Sequence, residues 1–386
     1  MTAEGKHAGR ILVLTELFLP TKGGTAVWFD EVYQRLGGKE IHVVTADVPG
    51  ADNHDRHHKN TIHRIAMQRH PWLRPESIAM YYNLFKTSIK VGIKNSIETI
   101  HAGRVLPEGL VGWLVARLLR KNIVIYAHGE EITTWRESGK FNAMLFAYSH
   151  ADTVIANSDF TRNELLKLGI SPSKIVLISP GVDIERFHKG LEFDDLRRQI
   201  NLGKQGKLVL SVGRLSRRKG FDQIIECIPE LVRQGIDVHY AIIGIGEDQQ
   251  YLEKLMKEKH VEDRVHFLGH VSMDDLPRWY CASDIFAMPN REINGDTEGF
   301  GMVFMEAAAC GKPVIAGKAG GTGAAVIDNT TGLRVNGGDV EAVLKALSRL
   351  LSDEDYAHSL GEQGFIRATG EFSWEKVAER TKELIL

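Results

Sequence analysis

The sequence predicts an α/β protein of two doubly wound domains with parallel sheets, and three observations carry that prediction. A chain of 386 residues is too long for one ordinary core and suits two domains of similar size. Short β-rich runs alternate with helical patterns along its whole length, the pattern of a parallel sheet covered by helices on both faces. The second half repeats the order of the first after a polar, turn-rich stretch.

In the first half the strand candidates are "RILVL" (Arg10 to Leu14), "IHVVTA", "NIVIYAHG", "DTVIANS" and "KIVLIS". In the second they are "KLVLSVG" (Lys207 to Gly213), "VHYAIIG", "VHFLG", "DIFAMP" and "PVIAG". The linker is expected near Gly181 to Gly190, which gives an N-terminal domain over residues 1–186 and a C-terminal domain over 187–370. No strand follows the last helix, within 371–386, and it can pack back on either domain, the first included. No internal repeat of solenoid length is present. Two such domains joined by a hinge place their chemistry in the crevice outside the carboxyl ends of the strands.

Composition narrows the function. Hydrophobic residues make up 43% and charged residues 25%, with a formal net charge of -2, so no global charge attracts nucleic acid. Known nucleic-acid motifs are also missing, and no nucleic-acid partner is expected. Cys227, Cys281 and Cys310 are far apart in sequence, which suggests neither a disulfide framework nor a zinc pattern and fits a reducing cytoplasm. The apolar opening "RILVLTELFLP" stops at Pro20, and "VLPEGLVGWLVARLL" is interrupted by Glu108 and Arg117. Neither reads as a signal peptide or a membrane span.

Three loops follow strands and carry candidate chemistry. Gly23 and Gly24 stand just before a helical pattern, so they either make the turn or let backbone N–H groups approach a phosphate. The third glycine of a dinucleotide fingerprint is absent here, and "GIGED" has Gln249 in its place, which argues against a nicotinamide dehydrogenase. "SVGRLSRRKGFD" follows the first strand of the second domain. It is either a solvated basic turn or a site where Arg214 and Lys219, aided by Arg217 and Arg218, neutralise a diphosphate. In "TEGFGMVFMEAAACGKPVIAG", Glu298 and Glu306 flank a glycine-bearing run that enters a helix. The N–H groups of Gly299, Phe300, Gly301, Met302 and Val303 form a helix start suited to a phosphate or hydroxyl, and a carboxylate accepts two hydroxyl donors of a sugar. Alone, Glu298 reads as solvated and Glu306 as a first-turn residue favoured by the helix dipole; beside the basic loop they read as ligands. His128, after an apolar strand, is either a structural histidine or a neutral donor or acceptor to a sugar hydroxyl.

These residues carry a resemblance. "VGRLSRRKG", the two glutamates with seven residues between them, and "TGLRV" resemble the family four retaining glycosyltransferases with the GT-B fold, and "GGTAVW", "AHGEE", "ANSDFTRNEL" and "SPGVDIERF" match in the first half. The second-half loop is most similar to mannosyltransferases acting on phosphatidylinositol mannosides. The resemblance implies two Rossmann-like domains facing a central cleft and transfer of a hexose from a nucleoside-diphosphate sugar, GDP-mannose or a UDP-sugar, to an acceptor hydroxyl on a glycolipid or glycan precursor. It implies that Arg214 and Lys219 hold the donor diphosphate, Glu298 the transferred sugar and Glu306 the ribose. It sets His128 beside the anomeric carbon, Gly24 near the phosphate, and Gly269, His270 and Val271 against the base. "AGGTGAAV" departs from the family's usual glycine pair followed by proline and glutamate, at Thr322 and Gly323.

No carboxylate in the matched motifs is an evident nucleophile, so front-face transfer with retention is expected. Two cationic side chains and helix N-termini make a metal unnecessary; "DED" at Asp353 to Asp355 reads as a solvated helix start. A GT-B-type epimerase or hydrolase, or a non-catalytic nucleotide-sugar-binding module, is the alternative. From Arg56 to Lys94 the chain holds eight Lys or Arg against Glu76 alone, with Trp72, Tyr81, Tyr82 and Phe85 interleaved. That stretch is either a solvated basic face or a peripheral contact with anionic lipid at the inner face of the membrane.

Overall fold

A computed structural model describes residues 9–69 and 76–384. The chain divides into two compact units, one from residues up to Pro180 together with those from Trp374 onward, the other Gly181–Ser373. The sequence reading had put these divisions at 186/187 and 370/371.

In the first unit, seven strands form one parallel sheet: β1 (Ile11–Leu14), β2 (His42–Ala46), β3 (Thr61–Ile65), β4 (Thr99–Ala102), β5 (Asn122–Ala127), β6 (Thr153–Ala156) and β7 (Ile175–Leu177). Their order is β3-β2-β1-β4-β5-β6-β7. The direction of winding reverses between β1 and β4, so the loops after those strands diverge there and leave room for a ligand.

The second unit holds β8 (Lys207–Val212), β9 (Val238–Ile243), β10 (Val265–Gly269), β11 (Ile285–Met288), β12 (Val314–Gly317) and β13 (Leu333–Val335), in the parallel order β10-β9-β8-β11-β12-β13. Its switch point lies between β8 and β11. β8 shows why these runs read as continuously apolar: Leu208, Leu210 and Val212 enter the core on one face of the sheet and Val209 the core on the other. Every expected strand is present, and both sheets match the doubly wound architecture of the sequence reading.

The reading did not include β3, β4 and β13. β4 is central and buried although its sequence is "TIHA"; His101 inside it shares a hydrogen bond with the Tyr33 hydroxyl at 2.7 Å through Nδ1. Burial pushes the His101 pKa down to about 3, so the ring is neutral in the sheet. β3 and β13 are edge strands, and β13 is only three residues long. The last helix, Trp374–Glu383, buries Trp374, Val377, Ala378 and Thr381 at helical spacing. It packs on the helix Gly24–Leu36 of the first unit, where Arg35 Nε donates to Glu375 at 2.9 Å.

Candidate functional site

The loop from Gly213 to Gly220 leaves β8 and is held against the loop after β11. Gly220 has φ +79°, and a Cβ there would run into the Pro289 carbonyl, so only glycine allows this approach. Arg291 completes the attachment: its N–H donates to the Arg218 carbonyl at 2.7 Å, and its guanidinium grips Asp222 at 2.6 and 3.1 Å.

So fixed, the loop delivers two cations to one carboxylate. Lys219 Nζ and Arg218 Nη1, the latter at 3.1 Å, both donate to Glu298 Oε2, and Arg218 Nε reaches Asp296 at 3.1 Å. The Glu298 and Lys219 side chains are only 13% and 12% exposed. Burial pushes the Glu298 pKa up, but Lys219 and Arg218 together pull it below its ordinary 4.5, so the group is a carboxylate. Its backbone is fixed as well: the Glu298 carbonyl accepts Gly321 N–H at 2.6 Å, and Gly320, at φ +68°, leaves no room for a Cβ beside it. That close approach is what the glycine pair of "AGGTGAAV" provides.

Gly301, at φ +88°, then turns the chain into the helix Met302–Ala309, whose first N–H groups have no intrahelical acceptor. Glu306 lies in this helix and accepts the Tyr280 hydroxyl at 2.7 Å. Burial raises its pKa. Two carboxyls with opposite environments thus stand on either side of one helix start: one charged and paired with cations, the other shielded and bonded to a phenol.

Other expected residues lie elsewhere. Arg214 is 74% exposed and donates to Glu247 at 2.9 Å, so it does not join Lys219 on Glu298. Arg217 stacks over Tyr251 at 3.2 Å from the ring centroid. The partner of Lys219 is Arg218, and the run of basic residues gave no means of telling which of them turns inward. At the end of β10 the Gly269 carbonyl accepts Gly244 N–H at 2.8 Å, His270 is exposed and Val271 half-buried. The glycines of "GIGED" pack backbone on backbone, Gly244 against Gly213 and Gly246 against Leu215. At the family departure, Thr322 Oγ1 donates to the Gly317 carbonyl at 2.6 Å, and the Arg334 guanidinium lies 2.9 Å from where a Gly323 Cβ would stand.

In the first unit, His128 follows β5 and is held from three sides. Its Nε2 bonds the Gly103 carbonyl at 2.8 Å, its N–H donates to Glu131 at 2.9 Å, and its carbonyl accepts Asn157 Nδ2 at 3.0 Å. A proton on Nε2 leaves Nδ1 of the neutral ring as an acceptor. Glu131 also takes the Tyr148 hydroxyl at 2.6 Å. The motifs "AHGEE" and "ANSDF" are therefore largely a mount for one histidine. Gly23 has φ +132° and open space beside it at the start of the helix Gly24–Leu36.

Among the described residues, Asp30, His54 and His58 form a group whose donor atoms could surround a cation. His58 Nδ1 accepts Asn60 N–H at 3.0 Å, which puts the ring proton on the Nε2 that faces Asp30 at 3.2 Å. His54 lies between Asp30 at 2.9 Å and Asp55 at 3.0 Å, and the Asp30 hydrogen bond leads in raising its pKa. The two carboxylates thus hold His54 from both sides, while the buried His58 Nε2 has no hydrogen-bond partner.

Two parallel-sheet Rossmann-like units, with paired cations and carboxylates at the carboxyl ends of the second sheet, define the GT-B class of glycosyltransferases. The chain belongs to glycosyltransferase family four: residues 22–186 match the model described as Glycosyltransferase Family 4 and residues 192–367 that described as Glycosyl transferases group 1. It is 31% identical to the GDP-mannose-dependent alpha-(1-6)-phosphatidylinositol monomannoside mannosyltransferase of Mycobacterium tuberculosis, over 97% of this chain and 98% of the relative. It is 24% identical to the N-acetyl-alpha-D-glucosaminyl L-malate synthase of Bacillus anthracis, over 94% and 93% of the two chains. The crystal structure of Anabaena Alr3699/HepE in complex with UDP-glucose superposes with a TM-score of 0.81 at 21% identity, covering 97% of this chain and 98% of the other. The protein is a nucleotide-sugar-dependent hexosyltransferase, and the epimerase or hydrolase alternative is not supported. No helix among the described residues is long and apolar enough to cross a membrane.

Proposed function

We propose that the protein transfers mannose from GDP-mannose, with retention and without a metal, to a hydroxyl of an inositol-bearing glycolipid at the cytoplasmic face of a membrane. The observation that carries this reading is the buried Glu298 carboxylate, charged and held by Lys219 and Arg218 beside a helix start. The choice of sugar and acceptor rests on the relatives that use GDP-mannose.

In this reading the donor diphosphate lies against Lys219, Arg218 and the N–H groups of Gly299, Phe300, Gly301, Met302 and Val303, and Arg214 swings from Glu247 to join them. Glu298 holds hydroxyls of the sugar, Glu306 the ribose, and Gly269, His270 and Val271 the base. Breaking the glycosidic bond develops positive charge on the anomeric carbon and negative charge on the leaving phosphate, so fixed cations at that phosphate favour the transition state. The leaving phosphate oxygen takes the proton of the acceptor hydroxyl as the new bond forms on the same face. For the first unit taken by itself, the reading assigns His128 Nδ1 as an acceptor for a hydroxyl and the Gly23 and Gly24 N–H groups as donors to a phosphate.

The lipid side of the proposal rests on the helix Ile78–Lys94. Its outer stripe carries Tyr82 at 61% and Ile93 at 66% exposure, with exposed Lys86 and Lys90 between them. Aromatic and aliphatic groups between lysines suit an anionic headgroup layer. Of the other aromatic residues expected here, Tyr81 and Phe85 pack against the core instead, and Trp72 lies outside the described residues.

A thermal-shift panel of nucleoside diphosphates and nucleotide sugars tests the donor, since a ligand at a hundred times its Kd adds about 2.7 kcal/mol. GDP and GDP-mannose are expected to shift unfolding most; a preference for UDP compounds overturns that assignment. Anionic vesicles are expected to retain the wild type and release a Lys86→Glu/Lys90→Glu variant, and equal retention removes the membrane contact.

A further inference from the structure

The first unit has a cavity at the amino end of β5, where the helix Leu110–Leu119 hands over to that strand. Its volume is about 270 Å³, and Trp113, Arg117, Arg120, Lys121, His150 and Asp152 line it. β5 runs six residues, from Asn122 at the cavity to Ala127 beside His128, so about 20 Å of strand separates the cavity from that histidine.

The lining is cationic and unpaired. Arg117 and Arg120 are exposed and Lys121 is half-buried, and among the described residues none of the three side chains has a hydrogen-bond or ion-pair partner. Asp152 is the one acid among the described lining residues, and one of its oxygens accepts Ile123 N–H at 2.8 Å. Glu98, just before β4 on the adjoining strand, is already paired with Arg10 at 3.0 Å. A helix C-terminus draws cations, but its end carries only about half a negative charge, so Asp152 and the helix together still leave a positive surplus. Arg120 also stands in the left-handed region at φ +55°, a conformation that helix ends usually give to glycine. Its guanidinium makes no bond among the described residues that would offset the strain.

The aromatic wall is stiff. Phe146 meets Trp113 edge-on at 4.8 Å between ring centroids and stacks on His150 at 4.1 Å. His150 Nδ1 donates to the Phe146 carbonyl at 2.8 Å, which leaves Nε2 open.

We propose that this cavity binds a phosphate ester, as a second anion site apart from that of the sugar donor. Two guanidinium forks and an ammonium suit the oxygens of a phosphate. The volume falls below the roughly 300–1,000 Å³ of sites for drug-sized ligands, which fits a phosphate carrying a small organic group. Leu114 and Leu118, both exposed, stand one turn apart on the same helix. The ester is therefore either free in solution or the headgroup of a lipid whose chains lie on those leucines. The proposal does not depend on which sugar or acceptor the enzyme uses.

The test titrates the full-length protein by calorimetry with sn-glycerol 3-phosphate and, separately, with dihexanoyl phosphatidic acid kept below its micelle concentration. Wild type should bind at least one of them. Arg117→Gln/Arg120→Gln should weaken that binding more than about tenfold, the loss expected when hydrogen bonds to a charged group are removed, with Tm unchanged. Should the double change lower Tm, the single change Lys121→Gln carries the same test. Lys219→Met, which alters the donor site, should bind as wild type does. Glycerol phosphate bound as well as the acylated probe marks a free ester, and a clear preference for the acylated probe marks a lipid. No binding of either probe by wild type, binding that survives the cavity variants, or binding lost in Lys219→Met overturns the proposal.

Discussion

Lys219→Met keeps the length and apolar stem of the side chain and deletes the ammonium. Breaking a buried ion pair by removing one partner costs about 3–5 kcal/mol. Arg218 stays on Glu298 at 3.1 Å, so the loss here should be smaller, about 1–3 kcal/mol. For a domain of this size that corresponds to a fall of roughly 2–12 °C in Tm. If the ammonium also meets the leaving phosphate, kcat/KM falls by about 100- to 1000-fold, the loss that follows removal of one well-aimed donor to developing negative charge.

The pH dependence separates the ion pair from simple packing. With its folded pKa held below 4.5, the Glu298 carboxylate contributes stability that is present above pH 4.5 and lost as pH falls through the folded value. Deleting Lys219 raises that folded pKa, so wild type and variant should differ most near pH 7 and converge as pH falls below the wild-type folded value. Thermal unfolding across pH and turnover of GDP-mannose measure both effects. A variant that unfolds with a pH-independent gap, or transfers sugar at the wild-type rate, refutes the reasoning.

Three further outcomes are expected. Stacked histidines bridge neighbouring strands, His239 Nδ1 to His266 Nε2 at 2.9 Å, and burial, helped by His239, takes the His266 pKa down to about 4. A lowered histidine pKa leaves stability intact above about pH 6.5 and erodes it as pH falls toward 4, so His266→Gln should flatten the urea midpoint between pH 7 and 5, and an unchanged slope would contradict the assignment. Glu108 is fully buried with Oε2 unpartnered while Oε1 accepts Glu16 N–H at 2.8 Å, and burial raises its pKa to about 7. The folded state then binds the proton that the unfolded chain has lost, so stability declines as pH rises from 4.5 to 7; Glu108→Gln should gain more over wild type at pH 8 than at pH 5 by chemical unfolding, and an equal gain at both would count against it. Arg214→Ala should leave Tm close to unchanged, because its only described ion pair is a solvent-exposed one, yet weaken GDP binding by calorimetry; unaltered affinity would remove Arg214 from the donor site.

Most of the chemistry at the second sheet was legible because it is written in short motifs. Lys219, Glu298 and Glu306 stand at loop and helix-start positions that the strand pattern alone could place, and Gly301 and Gly320 are glycines because each adopts a positive φ. Arg218 was harder to single out. Four basic residues share its loop, and which of them turns inward depends on Gly220 docking against Pro289 and on Arg291 gripping Asp222, contacts between segments about seventy residues apart. β4 escaped notice for a related reason: "TIHA" is polar as a string, and only the Tyr33 hydroxyl from a distant helix makes His101 acceptable in a core.

By itself the sequence determined two doubly wound units, since alternating periods of apolar residues fix which faces must be buried whatever the partner. It determined the glycines too, because backbone conformation is a local property. Tertiary structure alone decided that His128 is set by Glu131, Asn157 and Gly103, and that Glu298 is charged while Glu306 is shielded. Electrostatic environment and proximity are sums over neighbours that the chain brings together only on folding, so no local pattern can encode them.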